Sequence, residues 1–461
     1  MSGPDCETAA GERVALIVMM EESGALQLRL PEASERVLAK RGRSGRWGKA
    51  ERVRHRFTIE LPEEDEGSTR GKRGIFSRVI RIVVVKLAKW VAKKTAKWLV
   101  QKWETSTWEK KKQERPRGWL RVSFAGKIMG VAPVKLSAEE LKAGPCLLLI
   151  HGTFSNTVSC FGDLAKSPEF VNWIAKRYGG RVFAFNHFTM CETPEENARA
   201  LLAGLPKGGP WSFDVVTHSR GGLVFRQVAR LGAAQFTAGN AVVVASPNAG
   251  TPLATSSRWD EVLTLFANLG DLFPGIGDAV SWAADALNWI AEVVAEEIPG
   301  LASMNQDGRQ IEQIESSAAP ITSRWHALVA NWHPDRSSAL WKRLADAGVD
   351  RFFQGANDLV VPSEGGWRLH GRADLIPAAH IGCFGPGGNL VPDDSSRVHH
   401  LSFFSQVETT AFVMQALDDV PHALPVMDPM LPLPARAGRR GGGGGSAAVP
   451  PGPPPPGATK D

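Results

Sequence analysis

The sequence has little of what organises a disulfide-stapled or metal-built framework. Its 461 residues include five cysteines. Cys6, Cys146, Cys160, Cys191 and Cys383 are odd in number, and no two stand in C-x-x-C spacing. That argues against a disulfide scaffold and a zinc site, and a reducing, cytoplasmic setting is expected. The opening M-S-G-P-D-C-E-T lacks a basic stretch followed by an apolar run, so no secretory signal is expected. Long apolar runs are also missing where they would matter most. Around residues 75–103 the longest is four, I-V-V-V at 82–85, against the about 20 residues needed to cross a bilayer.

What the chain does have is unevenly placed charge. The formal net charge is +6, yet residues 71–121 hold 16 Lys/Arg against 3 Glu, and the rest holds 38 basic against 45 acidic residues. The positive charge therefore belongs to one segment. Within it Arg78, Arg81, Lys86, Lys89, Lys93 and Lys97 recur at roughly helical spacing, with Trp90 and Trp98 among aliphatic residues. This pattern predicts a basic amphipathic helix over 71–118. Its 75–103 part would suit an anionic membrane surface, with the protein peripheral there; the competing expectation is a helix docked on its own domain. No base-reading motif accompanies the charge, so specific nucleic-acid binding is not expected.

Upstream, residues 13–30 and 53–61 read as strands of a small β-rich module over 1–70. From Trp119 to about residue 425 short apolar runs at 147–150, 182–185, 213–216, 241–245 and 327–330 alternate with helical stretches. Such alternation predicts an α/β domain with a mainly parallel sheet covered on both faces. A helical insertion is expected over 256–317, either as a lid or as extra packing. The Gly- and Pro-rich stretch 426–461 cannot build a core and is expected to be disordered.

The stretch D-V-V-T-H-S-R-G-G-L at 214–223 places Ser219 between an apolar strand and a helix. A nucleophile elbow presents its hydroxyl at such a turn, although Thr217 stands where G-x-S-x-G has its first glycine. If Ser219 is a nucleophile, an acid and a base must follow in that order. Asp358 in G-A-N-D-L-V-V-P is the candidate acid, with Glu364 in reserve, and an Asn-Asp turn without a catalytic role remains the alternative. His400 in V-H-H-L-S-F-F is the candidate base, preferred to His399. His218 is expected to be a packed structural residue. His151-Gly152 directly follows an apolar strand, so the backbone N–H groups of Thr153 and Arg220 are the candidate oxyanion donors.

Taken in order, H-G-T-F-S-N-T, T-H-S-R-G-G-L-V, A-S-P-N-A-G-T-P-L-A, P-G-L-A-S-M, N-D-L-V-V-P and V-H-H-L-S-F-F resemble the lipase-like branch of the α/β-hydrolase superfamily, in particular its bacterial members. The resemblance covers residues 119–415. It implies a triad of Ser219, His400 and Asp358, oxyanion donors at Thr153 and Arg220, and no cofactor or metal. The expected activity is cleavage of a carboxylic ester, such as an acyl lipid, through an acyl-enzyme; amide and thioester bonds remain open. The competing class is a non-catalytic or effector module recruited through its basic segment.

Overall fold

The computed structural model describes residues 6–9, 13–20, 26–29, 33–37, 52–57 and 79–87, then 101, 104, 105 and 108. After these come 116–254, 298–316, 324–333, 355–369, 374–390 and 397–427. The N-terminal part contributes six strands: β1 (Cys6–Ala9), β2 (Arg13–Met20), β3 (Leu26–Arg29), β4 (Ala33–Val37), β5 (Arg52–Arg56) and β6 (Val79–Leu87). They form two three-stranded antiparallel sheets, ordered β1-β5-β4 and β3-β2-β6.

Strand β6 corrects one expectation. Residues 79–87 are not part of an amphipathic helix; they pair antiparallel with β2, from Val79 opposite Met20 to Leu87 opposite Arg13. The sequence V-I-R-I-V-V-V-K-L is dominated by β-branched residues, which lose side-chain freedom in a helix and fit a pleated surface. That preference outweighs the helical spacing of the basic residues. Most of the segment beyond, including 88–100, lies outside the described residues, as do 256–297 and 317 of the expected insertion and 428–461 of the expected tail. No helix among the described residues is long and apolar enough to cross a membrane.

The main sheet has eight strands. A hairpin, β7 (Gly118–Ala125) and β8 (Ile128–Pro133), leads into β9 (Leu147–Ile150), β10 (Val182–Asn186), β11 (Trp211–His218), β12 (Phe236–Val244) and β13 (Trp325–Ala330). A two-stranded ribbon, β14 (Arg368–Leu369) and β15 (Asp374–Leu375), precedes the last strand, β16 (Ile381–Phe384). The order is β8-β7-β10-β9-β11-β12-β13-β16; the β8–β7 and β7–β10 pairings are antiparallel and the other five parallel.

Eight helices are described around these strands: α1 (Ala138–Lys142), α2 (Thr157–Phe161), α3 (Pro168–Tyr178), α4 (Pro194–Ala203), α5 (Gly221–Leu231), α6 (Pro299–Ala302), α7 (Arg309–Ser316) and α8 (Val407–Leu417). Start signals are legible in the chain. Ser167 caps α3 and Thr193 forms a capping box with Glu196 at α4, each followed by a proline suited to the first turn.

Why these runs are continuously apolar follows from their two faces. In β9, Leu148 and Ile150 pack into one core with Leu201 of α4 and Phe225 of α5. Leu147 and Leu149 pack into the other with Phe170 of α3 and Phe412 of α8. Alternate residues point to opposite faces, so a strand covered on both must be apolar throughout. Each fully buried side chain of this size contributes about 1.5–3 kcal/mol. This mainly parallel, doubly covered sheet is the α/β-hydrolase fold.

The order also says where a site belongs. From β9 the chain crosses to β10 on one side and later to β11 on the other. Sites form outside the carboxyl ends of strands at such a reversal. Those ends carry His151-Gly152 after β9 and Ser219 after β11.

The start of α5 depends on close approach. A Cβ on Gly221 would lie 2.2 Å from the Ile150 carbonyl oxygen and 2.7 Å from that of His151. Only glycine lets the helix begin against β9. Gly221→Ala is expected to destabilise the protein by about 2–3 kcal/mol through this overpacking. Gly355→Ala is the control, since a Cβ there meets nothing within 4 Å. Urea unfolding midpoints compare the two, and equal shifts would contradict the steric account.

Candidate active site

Ser219 directly follows β11 with φ of 53°, a left-handed conformation costly for a side chain with a Cβ. Its N–H donates to the Val244 carbonyl (2.9 Å) and its carbonyl accepts from the Gly222 N–H (2.9 Å), so strand and helix fix the turn from both ends. Of the five non-glycine residues with positive φ among the described residues, one is Ser219 itself, and Phe154 and Leu359 directly follow Thr153 and Asp358. Strain of this kind persists where the surroundings over-determine it. Gly152 lies directly against the serine, since a Cβ there would be 2.6 Å from the Ser219 Cβ. Thr217, the departure from G-x-S-x-G, is fully buried with its hydroxyl 3.5 Å from that of Ser246.

Asp358 and His400 are brought together across 42 residues of chain. The His400 Nδ1 lies 2.8 Å from the Asp358 Oδ2, both side chains being 3% exposed. Asp358 is held for this by its own turn. Its Oδ1 accepts the N–H groups of Val360 (3.0 Å) and Val361 (2.7 Å), and its carbonyl accepts the His400 N–H (2.9 Å). With Nδ1–H directed at the carboxylate, the His400 Nε2 is left as the basic nitrogen.

The expectation for His218 fits its surroundings. Its Nε2–H donates to the His400 carbonyl (2.9 Å), and its ring packs 4.8 Å from the His400 ring, centroid to centroid. This contact brings the His400 loop against the residue next to Ser219. Burial, with the His400 charge a smaller cause, lowers its pKa to about 3. His399 sits in its own turn, its N–H donating to the Ser402 Oγ (3.0 Å) and its Nδ1 accepting from the Leu401 N–H (3.3 Å). The reserve acid, Glu364, pairs instead with Arg368 at 3.1 Å on a half-exposed turn.

Around Gly152 the backbone orientation is set by a histidine. The His187 N–H donates to the His151 Nε2 (3.2 Å), so the proton of His151 is on Nδ1, which donates to the Gly152 carbonyl (3.0 Å). In a trans peptide the N–H points opposite to the C=O. The Thr153 N–H is thereby turned away from the His151 ring. Its hydroxyl lies 3.5 Å from the Sδ of buried Met304.

Arg220 heads α5, where backbone N–H groups have no intrahelical acceptor. Its side chain turns into the protein and donates to the Asn197 Oδ1 (2.9 Å) and to the carbonyls of Gly300 and Glu192. Burial lowers its pKa to about 10, which leaves it cationic at neutral pH. Sequence reasoning missed three participants: the His151 ring as an orienting group, Met304 as a neighbour of Thr153, and the contacts of Glu104 described below. No group of three or more His, Cys, Asp and Glu suited to a metal ion occurs among the described residues.

Buried neutral histidines make stability pH-dependent. His218 and His326 are lowered to about 3 and His399 to about 4 from an ordinary 6.5, burial being the main cause in each. Above pH 6.5 folded and unfolded chains both hold these rings neutral, and their contribution is complete. Below it the unfolded chain binds protons that the folded chain refuses, so stability falls as the pH drops from 6.5 towards 4. The loss is on the order of 1 kcal/mol per pH unit for each ring. Unfolding midpoints between pH 7 and pH 4.5 should decline steadily, and a flat profile would mean the rings are not held neutral.

Among solved structures, the chain is similar to lipase BlEst2 of Bacillus licheniformis in mature form at 16% identity and a TM-score of 0.35, covering 65% of this chain and 97% of that one. It is also similar to lipase 1 from Pelosinus fermentans, at 11% identity and a TM-score of 0.39, over 60% and 98% of the two chains. Phospholipase PlaB from Legionella pneumophila aligns at 15% identity and a TM-score of 0.34, over 60% and 63%. The fold assignment rests on the strand order above and not on these alignments. No curated protein matches the sequence. The family model described as "Domain of unknown function (DUF7379)" matches residues 114–418. That span takes in the whole eight-stranded sheet, the Ser219 turn and the Asp358–His400 pair, and the chain belongs to the DUF7379 family.

Proposed function

We propose that this protein is a serine hydrolase of carboxylic esters, with Ser219 as nucleophile, His400 as base and Asp358 as the acid that orients it. The observation that supports it most is the Asp358–His400 hydrogen bond, on a loop whose backbone touches the residue preceding a strained serine.

In this reading the His400 Nε2 takes the Ser219 hydroxyl proton as Oγ attacks the ester carbonyl carbon. The negative charge that develops on the carbonyl oxygen is met by the N–H groups of Thr153 and Arg220. Collapse breaks the bond to the leaving alcohol, which departs with the proton from His400 and leaves the acyl group on Ser219. Water then repeats the attack, giving its proton to His400, and the acid is released as Ser219 is reprotonated. Met304 beside Thr153 supplies an apolar flank, which favours an apolar acyl group.

The test is covalent labelling of the full chain with a fluorophosphonate, followed by identification of the modified residue. Labelling on Ser219 is the expected result. A folded protein that takes up no probe, or takes it up elsewhere, would return the chain to the reading of a non-catalytic module.

A further inference from the structure

Residues 101–108 precede the family domain, which begins at 114. Yet two side chains from this stretch are buried against it, Glu104 at 3% and Trp108 at 8% exposure. A buried carboxylate is costly unless hydrogen bonds satisfy it. The Glu104 carboxylate accepts the backbone N–H groups of three successive residues: Thr189 at 2.6 Å, Met190 at 3.1 and 3.2 Å, and Cys191 at 2.9 Å. It also accepts the Thr189 hydroxyl at 3.3 Å.

That hydroxyl has its lone pairs left over, and it accepts the Phe154 N–H at 3.3 Å. Phe154 has φ of 59°, a conformation that needs external support, and it adjoins Thr153. Trp108 packs beside the same loop. Its ring lies 6.3 Å from that of His151 and edge-on to Phe188 at 5.7 Å. The loop so gripped is backed by α6, since the Gly300 N–H donates to the Met190 carbonyl at 2.8 Å.

We infer that the segment upstream of the family domain is a clamp on the proposed oxyanion loop, with Glu104 acting through the Thr189 hydroxyl as a positioning residue. The inference rests on the ester hydrolase reading for its effect on turnover. The clamp is a property of the free protein. Glu104 fixes the 189–191 backbone, Thr189 passes that constraint to Phe154, and the Thr153 N–H keeps its direction. The Phe154 N–H is occupied by Thr189, so it is the Thr153 N–H that remains to face a reacting oxygen.

The experiment uses the full chain with Thr189→Val, Thr189→Ser and Glu104→Gln, each checked for cooperative unfolding. Valine keeps the shape of threonine and removes the hydroxyl; serine restores it. In Thr189→Val, kcat for a p-nitrophenyl ester should fall about 10- to 100-fold with KM changed less than about twofold, because a misdirected oxyanion donor weakens the transition state and not substrate binding. Thr189→Ser should recover most of the loss, which a purely packing role for the threonine methyl would not give.

A second readout needs no catalysis. Amide exchange of the 150–155 peptide should speed up about tenfold or more in Thr189→Val and Glu104→Gln and return to wild type in Thr189→Ser. Unchanged exchange in the valine and glutamine variants overturns the clamp, whatever the turnover. So does a kcat in Thr189→Val within about twofold of wild type. If the wild-type chain shows no Ser219-dependent turnover, the hydrolase reading fails separately, and the exchange data still decide whether the clamp exists.

Discussion

Ser219→Ala is expected to lower kcat on p-nitrophenyl esters by about 10⁴-fold or more, the scale on which loss of a nucleophile is felt in an acyl-transfer site. Fluorophosphonate labelling should vanish with it. Stability should barely change, for alanine meets the same left-handed backbone strain at φ of 53° as serine does, and the bonds that fix the turn are made by its backbone. This separates loss of chemistry from loss of fold. Residual turnover close to wild type in a folded variant would sink the nucleophile assignment and with it the acyl-enzyme.

The second large effect distinguishes two adjacent histidines. His400→Ala should cost about 10⁴-fold or more in kcat, because the base and the group that Asp358 orients disappear together. His399→Ala should leave kcat within about tenfold, since the Nδ1 of that ring serves its own turn. Its cost should appear instead as about 1–3 kcal/mol of stability, the usual range for losing a buried, hydrogen-bonded side chain. Steady-state kinetics beside urea unfolding reads both. A reversal, with His399→Ala inactive and His400→Ala active, would transfer the role of base to His399.

Much of this arrangement could be read from the chain. The parallel strands announced themselves as short apolar runs, and the serine turn as a strand followed by S-x-G-G. The pairing of Asp358 with His400 followed from their order after Ser219. What escaped did so for identifiable reasons. Strand β16, I-G-C-F, is four residues long, contains a glycine and shows no alternation, so its place in the sheet comes only from pairing with β13. In residues 79–87 two signals conflict, helical spacing of charge against β-branched composition, and pairing with β2 follows the second. Glu104 left no signal because its acceptor role is met by backbone N–H groups some 85 residues away, and every residue has a backbone. The direction of the Gly152–Thr153 peptide was illegible too, since it depends on which nitrogen of His151 carries the proton.

The Thr251 N–H donates to the Met304 carbonyl (2.8 Å), its hydroxyl donates to the Val360 carbonyl (2.6 Å), and Thr251 also bridges to Asn305. The chain positions that flank residues 255–297 are therefore tied to each other and to the Asp358 loop, whatever lies between them. Closing a loop whose ends are already joined depends weakly on its length, about 0.6 kcal/mol for each doubling. The tie at Thr251 thus lets the length of chain between its ends change at little cost while Ser219, Asp358 and His400 keep their places. On the proposed hydrolase reading, the range of esters accepted can then drift independently of the residues that cleave them.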